Sequence, residues 1–239
     1  GGSEIKFTGN VETGNVYETI VNNEGGTQNQ NDGTRWNLVS NPYPSYITVS
    51  DFLSQNSNEL ESYHQTVWGW GGSSYTAYNS ASGAFIAPGQ GFMVGAVGPE
   101  TNSSTLTFTT AMQTTSGSDD FISGDIMDDN RAELFFNMNQ NGIDRHTELY
   151  FLDNMTDGLD PSYDSGTLEL ANNSIYTRLV DNSLETNFII QSLAYSEMWD
   201  KIIPLGINAL GGEEMTIGIS HRTTPADLNI YLEDTEEGT

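Results

Sequence analysis

Four aspartates, Asp153, Asp157, Asp160 and Asp164, recur every three or four residues in a stretch broken by Gly158 and Pro161. Carboxylates gathered by a turn suit a hard cation such as calcium, which takes about six to eight oxygens from carboxylates and backbone carbonyls. The spacing is not that of an EF-hand loop. Aspartate is also a frequent turn former, because its side chain accepts hydrogen bonds from nearby backbone N–H groups. Two readings therefore stand for this stretch: a calcium site, or a set of turn formers.

A second group is aromatic. Trp68 and Trp70 lie two residues apart and share one face of a strand, while Gly69, Gly71 and Gly72 leave the other face bare; Tyr75 and Tyr78 follow. If exposed, Trp68, Trp70 and Tyr75 make a platform on which the apolar faces of sugars stack, so they are the candidate glycan-binding residues. The competing reading packs alternate members into a core, as aromatic strand residues usually do.

His146 and Glu148 alternate and share a face, which suits an acid/base or metal pair only if a third partner joins them. His64 and His221 sit in unrelated contexts, and no HExxH, GxSxG or P-loop pattern occurs. Carboxylate pairs for glycoside hydrolysis carry no information among 33 acids, because their separation is a property of the fold. The expectation is a chain without catalytic residues.

The elements that would position these groups are strands. Period-two alternation marks Ile5/Phe7, Leu106/Phe108, Met215/Ile217/Ile219 and Leu228/Ile230/Leu232, while Glu133–Phe136 and Asn187–Ile190 read as central strands. Asn22–Gly33 is a polar loop, and Asn141-Gly142 and Gly211-Gly212 are hairpin candidates. One short helix is expected, capped by Ser50 and running through Asp51, Phe52 and Leu53. The fold class is all-β: two antiparallel β-sandwich domains or sub-domains (jelly-roll or immunoglobulin-like) in tandem. Residues 1–118 carry 9 acidic and 2 basic residues, net −7, and residues 119–239 carry 24 and 5, net −19. That shift, with the connector Thr114–Ser118, sets the boundary between an N-terminal β-domain, 1–118, and an acidic C-terminal sandwich, 119–239.

The net charge of −26 repels phosphate backbones and anionic lipids, so neither nucleic acid nor a membrane surface is an expected partner. No apolar run approaches the ~20 residues that span a bilayer. There is no cysteine, so no disulfide staples the fold. The chain opens on Gly1-Gly2-Ser3 without a signal-peptide pattern, which reads as a mature or excised segment.

In Arg35–Ile47, RWNLVSNPYPSYI, a strand is stopped by two prolines that lack an N–H and fix φ, and Asn41-Pro42 starts a turn. This stretch resembles the "GWNLIGNPYPS" segment of large secreted Bacteroidota proteins exported by the type IX secretion system. The resemblance continues through the aromatic pair Val67–Trp70 with Tyr75 and Tyr78, and through Ile86-Ala87-Pro88-Gly89-Gln90-Gly91-Phe92-Met93-Val94, similar to the family's proline and "QGF" strand. Asn130–Leu134 resembles "RLWL", Asp153–Asp164 "GATDGFDxGYDA", Ile203–Gly206 "VPLG" and Asn229–Asp234 "IYLED". The motifs run in order over about residues 35–234. Family members continue past the last strand into a C-terminal sorting domain, so the resemblance implies a second sandwich truncated at its final strands. It also implies an extracellular or cell-surface, non-catalytic module with a structural or adhesive role, as in adhesins and surface filaments. Its partners would be neighbouring domains of a longer polypeptide, other subunits of a surface assembly, or glycans. The alternatives are a dedicated glycan-binding module and an accessory domain of a secreted hydrolase.

Overall fold

A computed structural model describes residues 9–24, 35–72, 75–98, 102–117, 130–168 and 173–235. The expected strand at Ile5/Phe7, most of the Asn22–Gly33 loop and the acidic run Asp119–Asp129 lie outside these residues. The fold is all-β and sandwich-like, built mainly from antiparallel sheets, as the alternation predicts. The chain divides into two compact units: Gly1–Met127 with Asp160–Gly166, and Asp128–Leu159 with Thr167–Thr239. The second crossing back, at Asp160–Gly166, has no signal in the sequence.

In the first unit, β1 (Val16–Asn22), β2 (Trp36–Ser40), β3 (Tyr46–Thr48), β4 (Val67–Trp70), β5 (Tyr75–Tyr78), β6 (Phe85–Ile86), β7 (Gly91–Gly95), β8 (Asn102–Phe108) and β9 (Gln113–Thr114) form three small sheets. Their orders are β1-β8, β2-β7-β4-β5 and β6-β3-β9. Val39, Phe92, Val94 and Val67 turn one face of the four-stranded sheet into a core shared with Ile20, Ile47, Phe52, Leu106 and Phe108. Phe52 stands edge-on to Phe92, with ring centroids 5.1 Å apart, a favourable quadrupole arrangement. The helix α1 (Val49–Gln55) supplies Phe52 and Leu53. Its cap is Thr48 rather than Ser50: the Thr48 hydroxyl accepts from Asp51 N at 3.1 Å, because β3 delivers Thr48 in extended conformation at the helix start.

The NPYP segment is held by one buried asparagine. Asn41 Nδ2 lies 2.8 Å from Ser45 O, 3.0 Å from Ile86 O and 3.1 Å from Ala87 O, and its Oδ1 accepts from Tyr43 N at 3.0 Å. Pro42 and Pro44 supply no N–H, so the amide of Asn41 ties together carbonyls that a ladder would otherwise satisfy. Tyr43 is buried, with its hydroxyl 2.7 Å from Phe108 O.

In the second unit, β10 (Ala132–Gln140) and β11 (Ile143–Leu152) form a hairpin through Asn141-Gly142. Both turn residues have positive φ, 55° and 77°, as a type I′ turn requires. After β12 (Ser165–Gly166), which belongs to the first unit, come β13 (Ser174–Thr177), β14 (Phe188–Ala194), β15 (Leu205–Asn208) and β16 (Met215–Arg222). The sheet order is β15-β13-β14-β11-β10-β16, with β11 and β14 parallel and the rest antiparallel. Ala132, Leu134, Leu149, Phe151 and Leu193 line one face, packed with Met198 and Leu228.

Two expectations fail here. Gly211-Gly212 makes a turn but no hairpin, because β15 and β16 stand at opposite ends of the sheet order. Leu228–Glu233 has strand alternation yet forms no strand. Arg222 Nη2 donates to Leu228 O at 2.6 Å, and Leu228 and Ile230 pack on the core, so the segment is anchored by side chains instead of a ladder. Tyr231 is left 87% exposed.

Candidate functional site

The β4–β5 hairpin sets Trp70 directly opposite Tyr75. Their ring centroids are 4.9 Å apart with planes tilted by 56°, and the two side chains are 56% and 38% exposed. Two rings held against each other by a strand pair present an exposed apolar surface with little rotamer freedom left to lose. Trp68 shares their face by parity but is only 2% exposed, and it takes no part in that surface. Trp36 stands edge-on to it at 6.1 Å, and the Trp68 indole N–H is buried without a hydrogen-bond partner. Tyr78, opposite Val67, packs toward the core. Periodicity assigns a face; it does not say where along the strand the cover ends.

The four aspartates are divided between the two units. Asp160 and Asp164 belong to the first unit, Asp153 and Asp157 to the second. Asp164 is fully buried, and its Oδ2 accepts from Asp160 N at 2.7 Å, closing a turn. Asp153 accepts from the Asn130 amide at 2.9 Å, and Asp157 is paired with Lys201 Nζ at 2.6 Å. Among the described residues no group of three or more His, Cys, Asp or Glu side chains is arranged to hold a metal. These bonds fit the turn-forming reading.

On the second unit, the sheet face opposite the core gathers more than His146 and Glu148. Phe135 is the register partner of Glu148 on one side and of His221 on the other, so β10 brings His221 onto the same face. Expecting His221 in an unrelated context was wrong, because the strand order that unites the residues is not visible from spacing. His146 Nε2 lies 3.6 Å from Glu148 Oε1, and the Tyr150 hydroxyl donates to Glu148 Oε2 at 3.0 Å. His221 Nε2 is 2.8 Å from Glu133 Oε2, and Arg131 holds Glu133 Oε1 at 2.6 Å. Burial pushes the Glu148 carboxyl up to about 7, with Tyr150 opposing and Glu133 reinforcing the shift. Burial also moves His146 below its usual range.

The chain matches the model of a domain of unknown function (DUF8693) over residues 3–80 and 61–239. The chain belongs to this family. Both DUF8693 matches cover residues 61–80, the stretch that contains the Trp70–Tyr75 hairpin, and the second covers the whole Glu133–His221 face. No curated protein and no solved structure matches the chain.

Two cavities lie apart from the rows above. One of about 530 Å³ is bordered by Val180, Trp199, Lys201 and Ile202; the other, about 350 Å³, by Val16, Leu38, Pro42 and Phe108. Sequence reasoning also missed Arg35, which is buried and ion-paired with both Glu24 and Glu61. Its rarity was the available signal, since residues 1–118 hold only two basic residues.

Proposed function

We propose that this chain is a non-catalytic β-module of a secreted or cell-surface protein, and that Trp70 and Tyr75 make its contact with glycans. The exposed cross-strand pair is the observation that carries the reading, since burying two rings against solvent would otherwise be the favoured outcome. The net charge of −26 favours neutral saccharides over uronate-bearing or sulfated ones. The extracellular setting is supported by the resemblance carried by Arg35–Ile47 and the motifs that follow it. Its partners are then neighbouring domains or subunits of a surface assembly together with the glycan.

Affinity electrophoresis against neutral and acidic polysaccharides tests this. Retardation by a neutral polysaccharide, lost in Trp70→Ala and kept in Leu38→Ala, is the expected result. Binding that survives Trp70→Ala, or no retardation by any neutral polysaccharide, overturns it. A second reading, an accessory domain of a secreted hydrolase, is favoured by one observation: Glu133 and Glu148 share a sheet face with His146. Turnover of an aryl glycoside abolished by Glu148→Gln would favour it over the first.

A further inference from the structure

The second unit's sheet ends in two unlike edges. At one end β15 has four residues, a short edge that invites little pairing; at the other β16 has eight. Among the described residues no strand pairs with the outer side of β16. Met215, Ile217 and Ile219 alternate along it, opposite Gln140, Met138 and Phe136 on β10. Met215 is 40% and Ile219 46% exposed, so the core-side face of the sheet runs out into solvent at this margin.

The strand is also complementary to itself. Glu213-Glu214 precede the apolar alternation and His221-Arg222 follow it, and all four are exposed. We propose that β16 pairs antiparallel with β16 of a second copy about a two-fold axis through Ile217. That register sets Ile217 against itself and Met215 against Ile219 of the second copy, a continuous row of six apolar side chains. It brings the acidic end of each strand to the basic end of the other, which compensates charge locally on a chain of net −26. The register shift between Phe135 and Phe136 bends the far end of β16, so pairing is centred on Met215–Ile219. A two-fold contact of this kind closes at two copies.

The competing occupant of the edge is the unpaired, strand-like segment Leu228–Glu233 of a neighbouring molecule. Sedimentation equilibrium of residues 1–239 over a concentration series separates the cases. The expected result is a mass rising from one copy to two and no further. Ile217→Lys puts two ammonium groups face to face on the axis and is expected to weaken association roughly tenfold or more, with an unchanged far-UV circular dichroism spectrum. The double change Glu213→Lys, Glu214→Lys sits in an exposed turn, outside the strand, so it tests the idea without loading the core. It lowers the net charge from −26 to −22, which by itself favours association, yet it is expected to weaken the pair. A single-copy mass at every concentration, or a double variant that associates as well as the parent, overturns the proposal. Growth beyond two copies, or loss of association in Leu232→Lys, assigns the edge to the Leu228–Glu233 segment instead.

Discussion

The first unit fastens its irregular segments with buried asparagines; the second fastens them with cations. Asn22, Asn41, Asn56 and Asn79 are all buried and donate to main-chain carbonyls: Asn22 to Gly98, Asn56 to Phe52, Asn79 to Tyr163. In the second unit Arg145 donates to Asn173 O, Arg222 to Leu228 O and Lys201 to Asp157 and Glu197. Each unit has its exception: Arg35 in the first, and in the second the buried Gln140, whose amide donates to Leu210 O and accepts from Leu210 N. An amide clip needs no charge to be taken from water and ignores pH and salt. A cation clip serves differently in a region where residues 119–239 carry net −19, because each one also relieves repulsion. Similar strands can thus be secured by fasteners that answer to different solution conditions.

The largest test removes an amide clip. Asn41→Ala strands three carbonyls and the Tyr43 N–H in a buried site and is expected to cost about 3 kcal/mol, equally at low and high salt, by chemical denaturation. A strong salt dependence would break the contrast between units.

Glu148→Gln probes the second unit through pH. Its carboxyl titrates near 7 in the fold against an ordinary value near 4.5, so the native state keeps a proton that the unfolded chain releases. The parent therefore loses stability as pH rises from about 4.5 to 7, and above that the penalty is on the order of 3 kcal/mol. The glutamine variant should be more stable than the parent at pH 8 and equal to it at pH 4. A gap of the same size at both values would mean that Glu148 holds no excess proton.

Lys201→Ala should cost about 1 kcal/mol at low ionic strength and less at 0.5 M salt, because Asp157 and Glu197 are substantially exposed. Thr48→Ala is the smallest, ~0.5–1 kcal/mol from a lost cap hydrogen bond, whereas Ser50→Ala should be nearly silent.

Local patterns carried far into this structure. Alternation located β8 and β16, evenly apolar runs located β10 and β14, and Asn141-Gly142 named its own turn, because each of those choices is made by neighbours in the chain. What failed depended on distant partners. Leu228–Glu233 has the alternation of a strand but is held by Arg222 and the core, and His221 joins Glu133 only through the order of β11, β10 and β16. The candidate site was half legible: Trp70 and Tyr75 were named, but Trp68 was included because a face is periodic and its covering is not.

The return of Asp160–Gly166 to the first unit bears on timing. Ser80 N donates to Ser162 O, Asn79 to Tyr163 O, and Thr66 meets Ser165 hydroxyl to hydroxyl at 2.9 Å, across 99 positions of sequence. On a ribosome the first unit must wait, with Thr66 and Asn79 lacking these partners, until about residue 166 has emerged. Closing so long a loop is slow compared with forming the β10–β11 hairpin, which needs only its own two strands. The hairpin made later in the chain is thus free to form before the unit begun earlier is complete.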